Sequence, residues 1–79
     1  MTKLVESIAK ALVENPEHVV VTEQAEGQGN VLQLRVAADD MGKVIGKQGR
    51  IAKALRTVVK AAATKQNKKV SVEILSEDE

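Results

Sequence analysis

The residues best equipped for chemistry are concentrated in one stretch, DDMGKVIGKQGRIAKALR, residues 39–56. Glycine stands at Gly42, Gly46 and Gly49, cations stand at Lys43, Lys47, Arg50, Lys53 and Arg56, and no acid follows Asp40 within it. Such residues suit the capture of an anion rather than the making of bonds. Glycine has no Cβ, so main-chain N–H groups beside it can approach a phosphate closely. A helix opening at Arg50 aims its positive dipole end and its free N–H groups at the same point. Lys47 and Arg50 add full charges. A Gly-x-x-Gly spacing alone carries little weight, since a turn between two helices also uses glycine. Its weight here comes from context: polar Lys47 and Gln48 fill the spacing, and amphipathic segments flank it on both sides.

Nothing comparable points to catalysis. His18 is the sole histidine, and no base, acid or nucleophile partners it in sequence, so it reads as a surface residue at a strand start. The chain has no cysteine, which removes disulfides and thiolate metal sites and suits a reducing cytosol. No metal or cofactor is expected, and GKQGR lacks the Walker spacing. The absence of Phe, Trp and Tyr excludes readers that stack bases on aromatic rings. The net charge of +1 conceals an asymmetry. Between Met41 and Val72 there is no acid, while Lys43, Lys47, Arg50, Lys53, Arg56, Lys60, Lys65, Lys68 and Lys69 all lie there. Segregation of this kind is the electrostatic footprint of a protein with a polyanionic partner. Lys53, Arg56 and Lys60 read more modestly, as residues that solvate a helix or lend long-range attraction.

Seventy-nine residues make one domain, 1–79, with a core of about 3–75 and an acidic tail over 76–79. Thr2 is placed to cap a helix through about Val13, with Leu4, Val5, Ile8, Ala9 and Leu12 on its apolar side. HVVVTEQ and VLQLRVA alternate as strands, and AEGQGN between them predicts a hairpin with a loop of several residues. Asp39 and Asp40 suit the N-cap of a short helix through about Ile45. A longer helix follows over 50–64, and its wheel predicts a core stripe of Ile51, Leu55, Val58, Val59 and Ala62. VSVEIL closes the chain as a strand. The order α-β-β-α-α-β predicts an α+β fold, a three-stranded mixed sheet covered on one face by three helices. No segment approaches the roughly 20 apolar residues of a membrane span, and the N-terminus lacks a signal-peptide pattern, so the expected location is cytoplasmic.

VIGKQGRIAKALR resembles the I-G-x-x-G-x-x-I core of a KH domain, the module whose GxxG loop clamps about four nucleotides of single-stranded RNA or DNA. With α-β-β before the motif and α-β after it, the arrangement is similar to the type II KH fold of small bacterial single-KH-domain proteins. Ile51 comes two positions after Gly49, and Ala52 occupies the third, where the family motif has an apolar residue. The resemblance implies a clamp of Gly46, Lys47, Gln48 and Gly49, with Lys43 and Arg50 beside it. It implies an apolar groove for bases from Val44, Ile45 and Ile51, and phosphate contacts from Lys65, Lys68 and Lys69. It further implies an RNA chaperone or post-transcriptional regulator that acts with a larger multidomain KH protein and influences cell-wall synthesis and cell length.

A single four-nucleotide clamp binds weakly, and pairing two such units raises affinity through effective concentration. The alanine-flanked second long helix suggests a homodimer or heterodimer through Gly49, Ala52, Lys53 and Arg56. Two other readings remain open from the residues. One is a protein-interaction module with a vestigial GxxG loop. The other is a helix-turn-helix DNA reader, although its exposed arc offers lysine and arginine without the Asn or Gln that reads adenine.

Overall fold

The computed structural model describes residues 1–78, six main elements in the expected order. These are α1 (Thr2–Leu12), β1 (Val20–Glu26), β2 (Gly29–Val36), α2 (Met41–Ile45), α3 (Arg50–Lys65) and β3 (Val70–Ser76). The strands lie in the order β1-β2-β3, β1 antiparallel to β2 and β2 parallel to β3. Alternation in β2 sends Leu32, Leu34 and Val36 to one face, where they meet Val5 and Ala9 of α1, Val44 of α2, and Leu55 and Val59 of α3. The other face centres on Gln33, bonded to Thr22, Arg35 and Glu73, with Val31 buried beside it. The fold class read from the sequence is the one observed.

Several local expectations need correction. Thr2 is the first helical residue rather than the cap, which falls to Met1 without a side-chain bond. The hairpin loop is only Gly27 and Gln28, because β1 and β2 pair out to Glu26 opposite Gly29. Gly27 has φ 60°, at the position where two-residue hairpin turns favour glycine. The tail is shorter than expected. Ser76 ends β3 and is buried, and the Glu77 N–H donates to the Val36 carbonyl at 2.8 Å. Glu79 lies outside the described residues.

The largest difference concerns α3. Its buried residues are Ala52, Leu55, Val59 and Ala63, so the core stripe is rotated by about 60° from the one predicted. Val58 is 44% exposed. The physical reason is close approach: small side chains at Ala52 and Ala63 let the helix lie nearer its neighbours than Val58 or Ile51 would permit.

Candidate nucleic-acid interface

Between α2 and α3 the chain makes one tight turn over Lys47–Gly49. Gly46 enters it with φ 77° and ψ 173°, Gln48 has φ 59°, and Gly49 leaves with φ 75°. Left-handed backbone at a non-glycine residue such as Gln48 costs on the order of 1 kcal/mol, so the loop carries some strain. The two glycines of the motif do different work. A Cβ on Gly46 would lie 2.6 Å from Ile51 Cγ1, so that glycine is required by packing as well as by φ. A Cβ on Gly49 would meet nothing within 4 Å. Gly49 therefore satisfies the backbone and leaves bare main chain facing outward. The Gly49 N–H closes on the Gly46 carbonyl at 3.1 Å, and the Arg50 N–H on the Lys47 carbonyl. Lys47, Gln48 and Arg50 are exposed, and Arg50 Nη2 lies 3.5 Å from Gln48 Oε1. The arrangement sets an open loop backbone and two cations at the start of a 16-residue helix, which is what phosphate capture needs.

The predicted site residues do not all gather there. Val44 is wholly buried in the core and presents nothing to a base, which corrects that expectation. An apolar β-branched residue in the middle of a one-turn helix packs inward. Ile45 stays partly exposed beside the loop. Ile51 closes over Gly46 and turns toward α1, lining a groove with Ile8, Leu12, Ala54 and Val58. Lys43 reaches back to Glu14 at 3.3 Å, an exposed pair worth little in water. Of the residues expected at a dimer interface, Gly49, Lys53 and Arg56 are accessible, but Ala52 is only 5% exposed and belongs to the interior.

Lys65, Lys68 and Lys69 sit at the opposite end of α3, about 24 Å along its axis from the loop. Residues that sequence reasoning set aside span the interval. Lys53, Arg56 and Lys60 recur at helical spacing along one flank, and Arg56 Nε donates to the Val72 carbonyl of β3 at 3.4 Å. That i, i+3, i+7 spacing was the available signal. Among the described residues, Lys47, Arg50, Lys53, Arg56, Lys60, Lys68 and Lys69 form no salt bridge. A continuous unpaired cationic track thus runs from the loop down the β3 side of α3.

Asp40 ties the segment that opens α2 to the residues just past α1. It occupies the N-cap position of α2 without capping it. Its carboxylate instead accepts from the Glu14 and Asn15 N–H groups at 3.2 and 3.0 Å and from Asn15 Nδ2 at 3.0 Å. Burial pushes this carboxyl up, but those bonds and the Lys43 charge outweigh it and hold it below its ordinary value. His18 pairs with Glu77 at 2.7 Å on the exposed surface, where the Glu77 hydrogen bond and charge raise the imidazole above 6.5.

A family model described as "KhpA/KhpB, KH domain" matches residues 2–74. The chain belongs to the KhpA/KhpB KH-domain family. Relatives within that family include the RNA-binding protein KhpA of Clostridium perfringens, 64% identical, and that of Clostridium acetobutylicum, 61% identical. Each comparison covers 95% of this chain and 100% of the relative. Among solved structures, Aquifex aeolicus Era superimposes with a TM-score of 0.59 at 19% identity, over 95% of this chain. The chain spans 29% of that Era chain, so the likeness concerns the fold of one part of it. No helix among the described residues is long and apolar enough to cross a membrane.

Proposed function

We propose that this chain is a non-enzymatic RNA-binding protein that clamps single-stranded RNA at Gly46–Gly49. The observation that carries the reading is the open left-handed backbone of this loop, with exposed Lys47 and Arg50, at the head of a cationic track without salt bridges among the described residues. The relatives named as RNA-binding proteins support it at 61% and 64% identity over 95% of the chain. Phosphates lie on the loop and on Arg50, and the strand follows Lys53, Arg56 and Lys60 toward the far end of α3. The cellular role consistent with this is that of a cytoplasmic RNA chaperone or post-transcriptional regulator. It works with a larger multidomain KH partner of the KhpB type, in cell-wall and cell-length control.

A second feature favours pairing. The groove of about 320 Å³ between α1 and α3 is lined by Ile8, Leu12, Ile51, Ala54, Leu55 and Val58, with Arg50 at its end. Such a surface suits a homodimer or a heterodimer with another KH domain, on the flank of α3 opposite the cations. Pairing there leaves the clamp free, whereas pairing through Lys53 and Arg56 would compete with RNA.

Isotope-labelled protein titrated with a pool of short single-stranded RNAs tests the clamp. Amide shifts centred on residues 43–52 that weaken with added salt are expected. A silent loop in a folded protein would refute the clamp and leave the pairing surface as the functional one.

A further inference from the structure

The far end of α3 holds a second, differently built site. The helix stops in a Schellman turn: the Lys68 N–H donates to the Ala63 carbonyl at 2.9 Å and the Asn67 N–H to the Thr64 carbonyl at 3.1 Å. Asn67 takes the left-handed position with φ 56°. The turn is also fastened to the β1–β2 hairpin. The Asn30 N–H donates to the Lys69 carbonyl at 2.9 Å, and a Cβ on Gly29 would lie 2.7 Å from that same oxygen. Between the fastened turn and the hairpin tip lies a hollow of about 290 Å³, lined by Gln28, Gly29, Asn30, Asn67, Lys68 and Lys69. Among the described residues no carboxylate lines it, and Glu26 borders the adjoining larger hollow that shares Gln28, Gly29, Asn30 and Lys69 with it. A smaller hollow, reached past Lys60 and Thr64, shares Lys68 and Lys69 with it and joins it to the cationic track.

The chemistry of this cup differs from that of the loop. The loop offers main chain and charge, which hold phosphates without reading sequence. The cup offers two cations together with carboxamides, the groups that pair with adenine through its N6 and N7. The Asn30 carboxamide is engaged by Glu23, which leaves those of Gln28 and Asn67. Distance fits as well. A strand pulled out of its stack advances about 7 Å per nucleotide, roughly twice the stacked rise. Four clamped nucleotides therefore span about the 24 Å length of α3.

We propose that the cup is a base-reading subsite for the nucleotide that follows the clamped four, with its phosphate on Lys68 and Lys69 and an adenine edge on Gln28 and Asn67. The proposal rests on the single-strand reading above. It assigns a sequence preference to the hairpin end of the molecule.

The test uses the whole chain and short labelled RNAs: a uridine tetramer, a uridine hexamer, and hexamers in which one adenine is moved through each position. Fluorescence anisotropy gives the affinities, and the side-chain amide signals of Gln28 and Asn67 report the cup. Adenine at one position near one end of the hexamer should tighten binding by about tenfold. Gln28→Ala should remove that preference while leaving tetramer affinity unchanged. Asn67→Gly, which keeps the left-handed turn, should do the same. Equal binding of every hexamer with still Gln28 and Asn67 amides would overturn the subsite. If the loop amides of residues 46–50 still shift, the clamp survives that result. If no oligonucleotide binds, both fall together.

Discussion

The two flanks of α3 share one backbone and similar exposure, yet they face opposite tasks. On the β3 side Lys53, Arg56 and Lys60 form an unpaired cationic track, while on the α1 side Ile51, Ala54 and Val58 border an apolar groove. Between them Ala52, Leu55, Val59 and Ala63 are buried. One helix thus serves three surfaces, and only the central one contributes strongly to stability. The difference teaches that apolar residues on a helix wheel divide between core and partner surface, and that hydrophobicity alone does not say where the division falls.

Stability should separate the centre from the apolar flank most sharply. Leu55→Ala, at 3% exposure, is expected to cost about 3 kcal/mol in urea unfolding, whereas Val58→Ala should cost under about 1 kcal/mol. Equal losses would mean that Val58 belongs to the core after all. Reversing charge at the head of the cationic flank comes next. Lys47→Asp combined with Gln48→Asp should weaken single-stranded RNA binding by about a hundredfold without moving the unfolding midpoint. Undiminished binding would leave the loop vestigial. On the apolar flank, Val58→Lys should weaken self-association by about tenfold in sedimentation equilibrium while RNA affinity holds. A wild-type chain that stays monomeric at high concentration would remove the homodimer.

Finer effects sharpen the track itself. Lys53→Gln, Arg56→Gln and Lys60→Gln should each lower the slope of log affinity against log salt by about 1, uniformly across sequences. An unchanged slope for Lys60→Gln would mean that the strand leaves the helix before its far end. The smallest effect involves His18. Its folded pKa is raised by Glu77, so its contribution is present below about 6.5 and is lost as pH rises through the folded value. His18→Gln should flatten that slight dependence in unfolding midpoints measured between pH 5.5 and 8, and an unaltered profile would show the pair to be inconsequential.

Much of this molecule was legible in its residues. Alternation at Leu32, Leu34 and Val36 gave the inward face of β2, and the glycine spacing located the loop. The rotation of α3 was not legible, because alanines on both flanks make a broad apolar arc whose centre only the sheet can choose. Val44 was misplaced for a related reason: a five-residue helix has too few positions for a wheel to distinguish inside from outside. Asp40 offered the chemistry of an N-cap, and only tertiary folding brought Glu14 and Asn15 close enough to take its carboxylate away. The Schellman turn left a faint trace, an asparagine within KQNKK, that reads as an ordinary polar loop until its carbonyl partners are known.

The Asp40 carboxylate also fixes which parts of the chain breathe together. Helix ends ordinarily exchange their amide protons early, by local fraying. Here the Glu14 and Asn15 amides, just past the end of α1, are held from 26 and 25 residues away by the segment that launches α2 and the loop. Their protection in hydrogen exchange should follow that of the clamp's supporting arm instead of α1. In acid, as the pH falls through the depressed pKa of Asp40, both should open in one step. The clamp therefore has a remote reporter, two amides that would register any loosening of the arm without touching the RNA.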